Sequence, residues 1–192
     1  MLFDVDALLA ALSQLGRLLA ARNQHFVVTV IGGSALLLGG WISRPTVDVD
    51  VVGLGDRARL EKARPLPPAL REAVEDVAAT RGLPATWLNS GPTDLLDWGL
   101  PDGFFDRCDT RFFDGLTVHV AGRLDLICTK LYAVADQGSA GRHIDDLRAL
   151  APGDDDLQFA ARWTRTQDPS VEFAAIVEQV LRHFGVEGTD GG

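Results

Sequence analysis

Apolar residues recur along this chain in distinct rhythms, and each rhythm predicts an element. Leu8, Leu12, Leu15 and Leu19 fall three or four apart, the spacing of one helix face, so residues 4–22 read as an amphipathic helix. Residues 26–31, FVVTVI, are almost continuously apolar and β-branched, as in a strand buried on both faces. Residues 34–38 form a short apolar helix closed by Gly39 and Gly40. Pro45 blocks helix and sets up an extended run over 47–52. There Val47, Val49 and Val51 alternate with Asp48 and Asp50, which predicts three valines facing the core and two aspartates facing away from it.

Further along, residues 56–81 look helical in part, cut into two helices by Pro65, Pro67 and Pro68. Residues 82–103, rich in Gly, Pro and Trp, predict only a short strand near 86–88 and a loop. Residues 111–113 and 116–120 flank Asp114-Gly115, a strong short-range hairpin signal. From 122 onward the period is helical. Leu124, Ile127, Cys128, Leu131 and Val134 make one stripe, and Ile144, Leu147 and Leu150 lie on the next helix. Asp154 and Asp168 are placed to cap helices, the second with Pro169 at the first helical position, and Gly185 ends the last helix. The expected class is α/β (α+β). A mixed sheet flanked by helices spans 1–121, a C-terminal helical lobe spans 122–185, and 186–192 form a disordered tail.

Composition narrows the function classes. The 192 residues, 46% apolar and 23% charged, suit one sizeable core, or a core and a small lobe. No apolar run approaches the ~20 residues of a membrane span. The N-terminus lacks a basic region before its apolar stretch and carries two aspartates, so the expectation is no signal peptide and a cytoplasmic protein without a membrane partner. The net charge of −9 argues against broad electrostatic binding to nucleic acid. Cys108 and Cys128 make neither a disulfide framework nor a zinc site and read as reduced core thiols. Of the 18 basic residues only Lys62 and Lys130 are lysines, and a lysine amid arginines can mark a place that needs a compact charge.

Two short patterns carry chemistry. Asp48 and Asp50 sit two residues apart on a strand, with Cα atoms about 6.5 Å apart. Side chains converging from that spacing can share a divalent cation or bracket two cations roughly 3.5–4 Å apart. Magnesium takes one or two carboxylates and completes its shell with water and phosphate oxygens. A bare D-x-D is more often simply the polar face of a half-exposed strand. Gly32-Gly33-Ser34 follows a strand and opens a helix. Glycine lets backbone N–H groups approach a phosphate, and the Ser34 hydroxyl could contact a phosphate oxygen or simply cap the helix.

Taken in order, GGSALLLGG followed by RPTVDVDVV resembles the DNA polymerase β-like nucleotidyltransferase superfamily. The likeness is to small bacterial members: the AbiEii-like and MenT-like toxin branch and related uncharacterised nucleotidyltransferase-like domains. The resemblance implies that Gly32, Gly33 and Ser34 bind a nucleoside triphosphate, with Arg44 and Thr46 beside them. It implies that Asp48 and Asp50 hold Mg²⁺ or Mn²⁺. In AGRLDLICTKLYAVADQGSAGRHIDDLRAL, Lys130 and Asp146 fit the family's helix-borne lysine and following acid. Lys130 flanks the apolar stripe, where it could meet a triphosphate or acceptor, or merely snorkel over the stripe. Asp146 could orient it; Asp145 is the adjacent alternative, and His143 lies next to both acids.

Many such enzymes carry a third carboxylate on a later strand, as base for the attacking hydroxyl. The place expected for it here is the strand LTVHV, where His119 stands and could act as base. Trp41 and Trp163 read as packing residues, and Asp154, Asp155 and Asp156 as a cluster favouring a helix dipole. The implied activity moves a nucleoside monophosphate from an NTP to an acceptor. A tRNA 3′ end, a small molecule or a protein side chain are the acceptors in view, and an antitoxin is a partner in view. The rival expectation is a binding or regulatory module that keeps the fold without turnover.

Overall fold

The computed structural model describes residues 2–138 and 141–186, so the tail expected at 186–192 lies outside the described residues except for Val186, which is buried and donates to the Leu181 carbonyl at 3.1 Å. The chain clusters into two compact units that divide after Gly122.

The first unit is built on a six-stranded mixed sheet. Its strands are β1 (Phe26–Ile31), β2 (Val49–Asp56), β3 (Arg59–Lys62), β4 (Leu88–Asn89), β5 (Asp109–Phe113) and β6 (Leu116–Val120). The order is β3-β2-β1-β6-β5, with β4 also on β2. β1 runs antiparallel to β2 and parallel to β6. The outer edge of β2 is shared: β3 pairs antiparallel with Gly53 to Asp56, and β4 pairs parallel with Val49 and Asp50. The helices of this unit are α1 (Val5–Ala21), α2 (Gly32–Leu38), α3 (Pro68–Arg81) and the single turn α4 (Phe104–Arg107).

Local chemistry accounts for these elements. Asp4 caps α1 by accepting from the Ala7 N–H at 2.8 Å. The four periodic leucines of α1 are fully buried. In β1, Val28, Thr29 and Val30 are all buried, as the continuous apolar run predicted. Trp87 is also buried and finds a partner for its indole, donating to the Val74 carbonyl at 3.0 Å.

Four expectations are corrected. Residues 56–81 are not two helices. β2 folds back at Arg57-Ala58 into β3, and only the part after the prolines is helical, because Gly55, with φ +98°, admits a backbone that no helix allows. A Cβ at Gly55 would also lie only 2.0 Å from the Arg59 carbonyl oxygen of the returning strand. Val47 does not face the core; it is 41% exposed, because β2 begins only at Val49. Thr46 instead forms a bridge with Phe3. Cys108 is half-buried rather than a core thiol, whereas Cys128 is buried. Trp41 is exposed, whereas Trp163 is packed.

The second unit holds α5 (Arg123–Gln137), α6 (Arg142–Ala149), α7 (Asp154–Gln167) and α8 (Val171–His183). α5 is buried continuously from Asp125 to Leu131, a wider surface than one apolar stripe. Arg123 ties the end of α6 to α7: its guanidinium donates to the carbonyls of Leu150 (2.9 Å) and Ala151 (2.6 Å) and to Asp156 (2.8 Å). The caps fall elsewhere than expected. Asp154 is the first helical residue of α7, and Asp156 reaches back to the Gly153 N–H. α8 is capped by Ser170, which Asp168 supports by accepting from its N–H at 2.9 Å. Asp154 thus lies one residue inside its helix, whereas Asp168 lies two residues before the cap of α8 and Pro169 precedes that cap instead of opening the helix. Among the described residues no helix is long and apolar enough to cross a membrane.

Candidate functional site

The site grows from the register of β1 and β2. Ile31, the last residue of β1, lies opposite Asp50. The chain then turns at Gly32, with φ +73°, into α2. This turn presses directly on the acid. A Cβ on Gly32 would lie 2.3 Å from Oδ2 of Asp50, far inside contact distance, so only glycine leaves the carboxylate where it is. Gly33 makes the matching approach one residue on, where a Cβ would lie 2.7 Å from Oγ1 of Thr46. Two glycines thus seat the turn against the segment that carries the acids.

Asp48 and Asp50 converge. The side-chain amide nitrogen of Asn89 lies 3.4 Å from Oδ2 of Asp48 and 3.3 Å from Oδ1 of Asp50. Asn89 is placed by β4, which sets it opposite Asp50 on the edge of β2. Sequence reasoning missed this residue. In the string LNSGP it carries only a turn signal, and nothing local says that two residues of strand bring it beside the acids.

The remaining predicted residues divide. Thr46 is buried, with its hydroxyl donating to the Asp48 carbonyl at 3.4 Å. Arg44 is half-buried in the loop that leads to it. Ser34 is buried and is not the cap: α2 begins at Gly32, and the Ser34 hydroxyl donates back to the Ile31 carbonyl at 3.4 Å. His119 is not brought to the acids. It pairs with Thr29 on the far side of β1, which puts it roughly 12 Å from Asp50 by strand spacing and rise. Its ring contacts the Thr110 hydroxyl at 2.9 Å and packs edge-on against Phe105. Burial holds its pKa below the ordinary value of 6.5, opposed in part by the negative charge of Asp56.

In the second unit Lys130 and Asp146 meet. The ammonium lies 2.8 Å from Oδ2 of Asp146, and the side chains are only 6% and 1% exposed. Lys130 is therefore a buried half of an ion pair, not a lysine reaching over the surface. Asp145 is the exposed neighbour, paired with Arg148 at 3.2 Å. His143 contacts Gln137 at 3.1 Å. A pocket of about 440 Å³ in this unit, lined by Val134, Ile144, Ile176, Val180, Arg182 and His183, contains none of the candidate residues.

A glycine turn seated on paired carboxylates, at the ends of two inner strands of a mixed sheet flanked by helices, is the arrangement expected of a nucleotidyltransferase-like domain. The chain belongs to the family described as nucleotidyltransferase of unknown function (DUF6036), whose model matches residues 6–148. That span runs from α1 through most of α6, so it takes in Lys130 and Asp146 as well as the glycine turn and both acids. Comparison with curated proteins finds no match, and comparison with solved structures finds none. Family membership points to nucleotidyl transfer in general.

Proposed function

We propose that this protein is a divalent-metal-dependent nucleotidyltransferase, moving a nucleoside monophosphate from a nucleoside triphosphate to an acceptor with release of pyrophosphate. The observation that carries this reading is the convergence of Asp48 and Asp50 on one atom of Asn89, directly beside the Gly32 turn. Two converging carboxylates are a donor set that fits Mg²⁺ or Mn²⁺, which favour hard oxygen ligands and leave room for phosphate. Such a cation, when bound, offsets negative charge on the triphosphate and on the departing pyrophosphate.

The chain's own residues then bind and orient. Gly32 and Gly33 allow close backbone approach, while Thr46 and Arg44 border the turn. Ser34, with its hydroxyl turned inward, braces the start of α2. Rate enhancement on this reading comes from positioning and charge stabilisation. The AbiEii-like and MenT-like resemblance gives Lys130 and Asp146 a joint role, in which the acid orients the lysine, and their 2.8 Å contact within the second unit supports that pairing. That resemblance also supports a tRNA 3′ end as acceptor and an antitoxin as partner. The net charge of −9 favours an acceptor that touches little surface, such as a small molecule or a chain end.

The test is label transfer from each of the four α-³²P-labelled NTPs with Mg²⁺ or Mn²⁺, offered RNA and small-molecule acceptors. Asp48→Ala with Asp50→Ala should abolish both transfer and metal-dependent nucleotide binding while circular dichroism stays native. Transfer that survives the double substitution refutes the reading.

One observation favours the rival, a nucleotide-binding module without turnover. Among the described residues no third Asp, Glu, His or Cys joins the two acids in a metal-binding cluster. Metal-dependent binding of NTP without transfer to any acceptor would select it.

A further inference from the structure

We propose that Asn89 makes metal uptake at Asp48 and Asp50 conditional on the triphosphate, by filling the third corner of the acid pair with a hydrogen-bond donor instead of an oxygen ligand. The inference rests on the metal-dependent reading above and gives a part to Asn89, which in that reading only marks where the two acids converge.

The geometry is specific. One nitrogen, Nδ2 of Asn89, faces both carboxylates, at 3.4 and 3.3 Å. The amide is held from turning over, because its Oδ1 accepts from the Gly91 N–H at 2.8 Å. The nitrogen, not the oxygen, is therefore what the acids meet. The segment behind it is clamped. Arg64 donates to the carbonyls of Ser90 (3.3 Å) and Gly91 (3.0 Å) and to Asp94 (3.0 Å). Lys62 adds Asp94 (3.3 Å) and Asp97 (2.6 Å).

The consequence follows from ligand counting. An amide N–H₂ attracts carboxylate lone pairs and offers none of its own. It keeps the two acids converged, as a weak stand-in for positive charge, yet adds nothing to a cation's shell. A divalent ion arriving alone finds two protein carboxylates and a donor. One arriving with a triphosphate brings its own further oxygens. The site should thus bind metal poorly by itself and well as a metal–nucleotide complex.

The experiment uses Mn²⁺ as probe on the full chain. Free-Mn²⁺ affinity is measured by electron paramagnetic resonance for wild type, Asn89→Asp, and Asn89→Asp with Asp48→Asn. Aspartate can still accept from the Gly91 N–H, and it replaces the donor by a third carboxylate. Asn89→Asp should bind free Mn²⁺ about tenfold more tightly or better. Adding Asp48→Asn returns the carboxylate count to two and should return the affinity to the wild-type level. Equal affinity of wild type and Asn89→Asp overturns the proposal.

A second measurement needs no substitution. In ¹⁵N-labelled wild type, the Asn89 side-chain resonance should be broadened by Mn²⁺ with a non-hydrolysable NTP and spared by the same concentration of Mn²⁺ alone. Equal broadening by Mn²⁺ alone overturns the proposal while leaving the metal-dependent reading intact. Failure of Mn²⁺ to bind wild type with or without nucleotide overturns both.

Discussion

Replacing Gly32 by alanine separates the two demands that the turn makes on this residue. The backbone at φ +73° costs an L-residue about 1–2 kcal/mol, because Cβ crowds the following carbonyl. For a chain of this length that corresponds to a fall in Tm of roughly 2–8 °C. The second demand is steric. The new Cβ would sit 2.3 Å from Oδ2 of Asp50, so the carboxylate must retreat by about 1 Å to reach ordinary contact at 3.4 Å. A misplacement of that size in a positioned catalytic group costs on the order of 10²-fold in rate. Gly40 supplies the control. It has nearly the same φ, +74°, but a Cβ there meets nothing within 4 Å. Gly32→Ala and Gly40→Ala should therefore lose similar stability in a thermal melt, whereas only Gly32→Ala should lose about 100-fold in nucleotide transfer or in Mn²⁺-dependent nucleotide binding. Equal function of the two variants would refute the argument that the turn and the acid share one site.

Three further outcomes are expected. Lys130→Met leaves Asp146 buried without its cation and should cost about 3–5 kcal/mol in urea unfolding; Lys130→Met with Asp146→Leu should recover most of it. Gly33→Ala should disturb Thr46 through the 2.7 Å contact, and Thr46→Ala should relieve the disturbance, read as non-additive shifts in nucleotide affinity. The third concerns His119. Burial favours its neutral form in the fold, so the unfolded chain binds more protons just below pH 6.5. Stability is then present above that value and is lost as pH falls through it. The urea midpoint should drop on going from about pH 7.5 to 5.5, and His119→Asn should flatten the drop; an unchanged slope would show that the imidazole does not titrate differently in the fold.

Elements whose pattern is local were legible in the sequence. The leucine period of α1, the β-branched run of β1 and the Asp-Gly turn between β5 and β6 each carry their own cause in a few neighbouring residues. The glycine turn and the twin acids were legible as patterns, and their adjacency follows from one long-range register, Ile31 opposite Asp50, that no local rule supplies. The misreadings have the same source. Residues 59–62 have no strand pattern apart from their pairing with β2, so by local pattern alone they read as helix. Asn89 gains its meaning wholly from β4 lying beside Asp50. Lys130 was placed at the rim of an apolar stripe, because its partner Asp146 lies on the next helix. His119 stands on the strand where the family resemblance leads one to expect a third carboxylate, but the pairing order sets β1 between it and the acids.

The divided edge of β2 has a bearing on how this scaffold can vary. Core packing near β4 is supplied by Trp87 and Leu88, both buried, whereas Asn89 is only half-buried and contributes its amide alone. Position 89 thus carries little of the core packing. On the proposed metal-dependent reading, exchanges among short polar side chains there would retune the cation demand of the site while Trp87 and Leu88 hold the framework, which would make this stub of two residues an adjustable dial for selection or for a protein engineer.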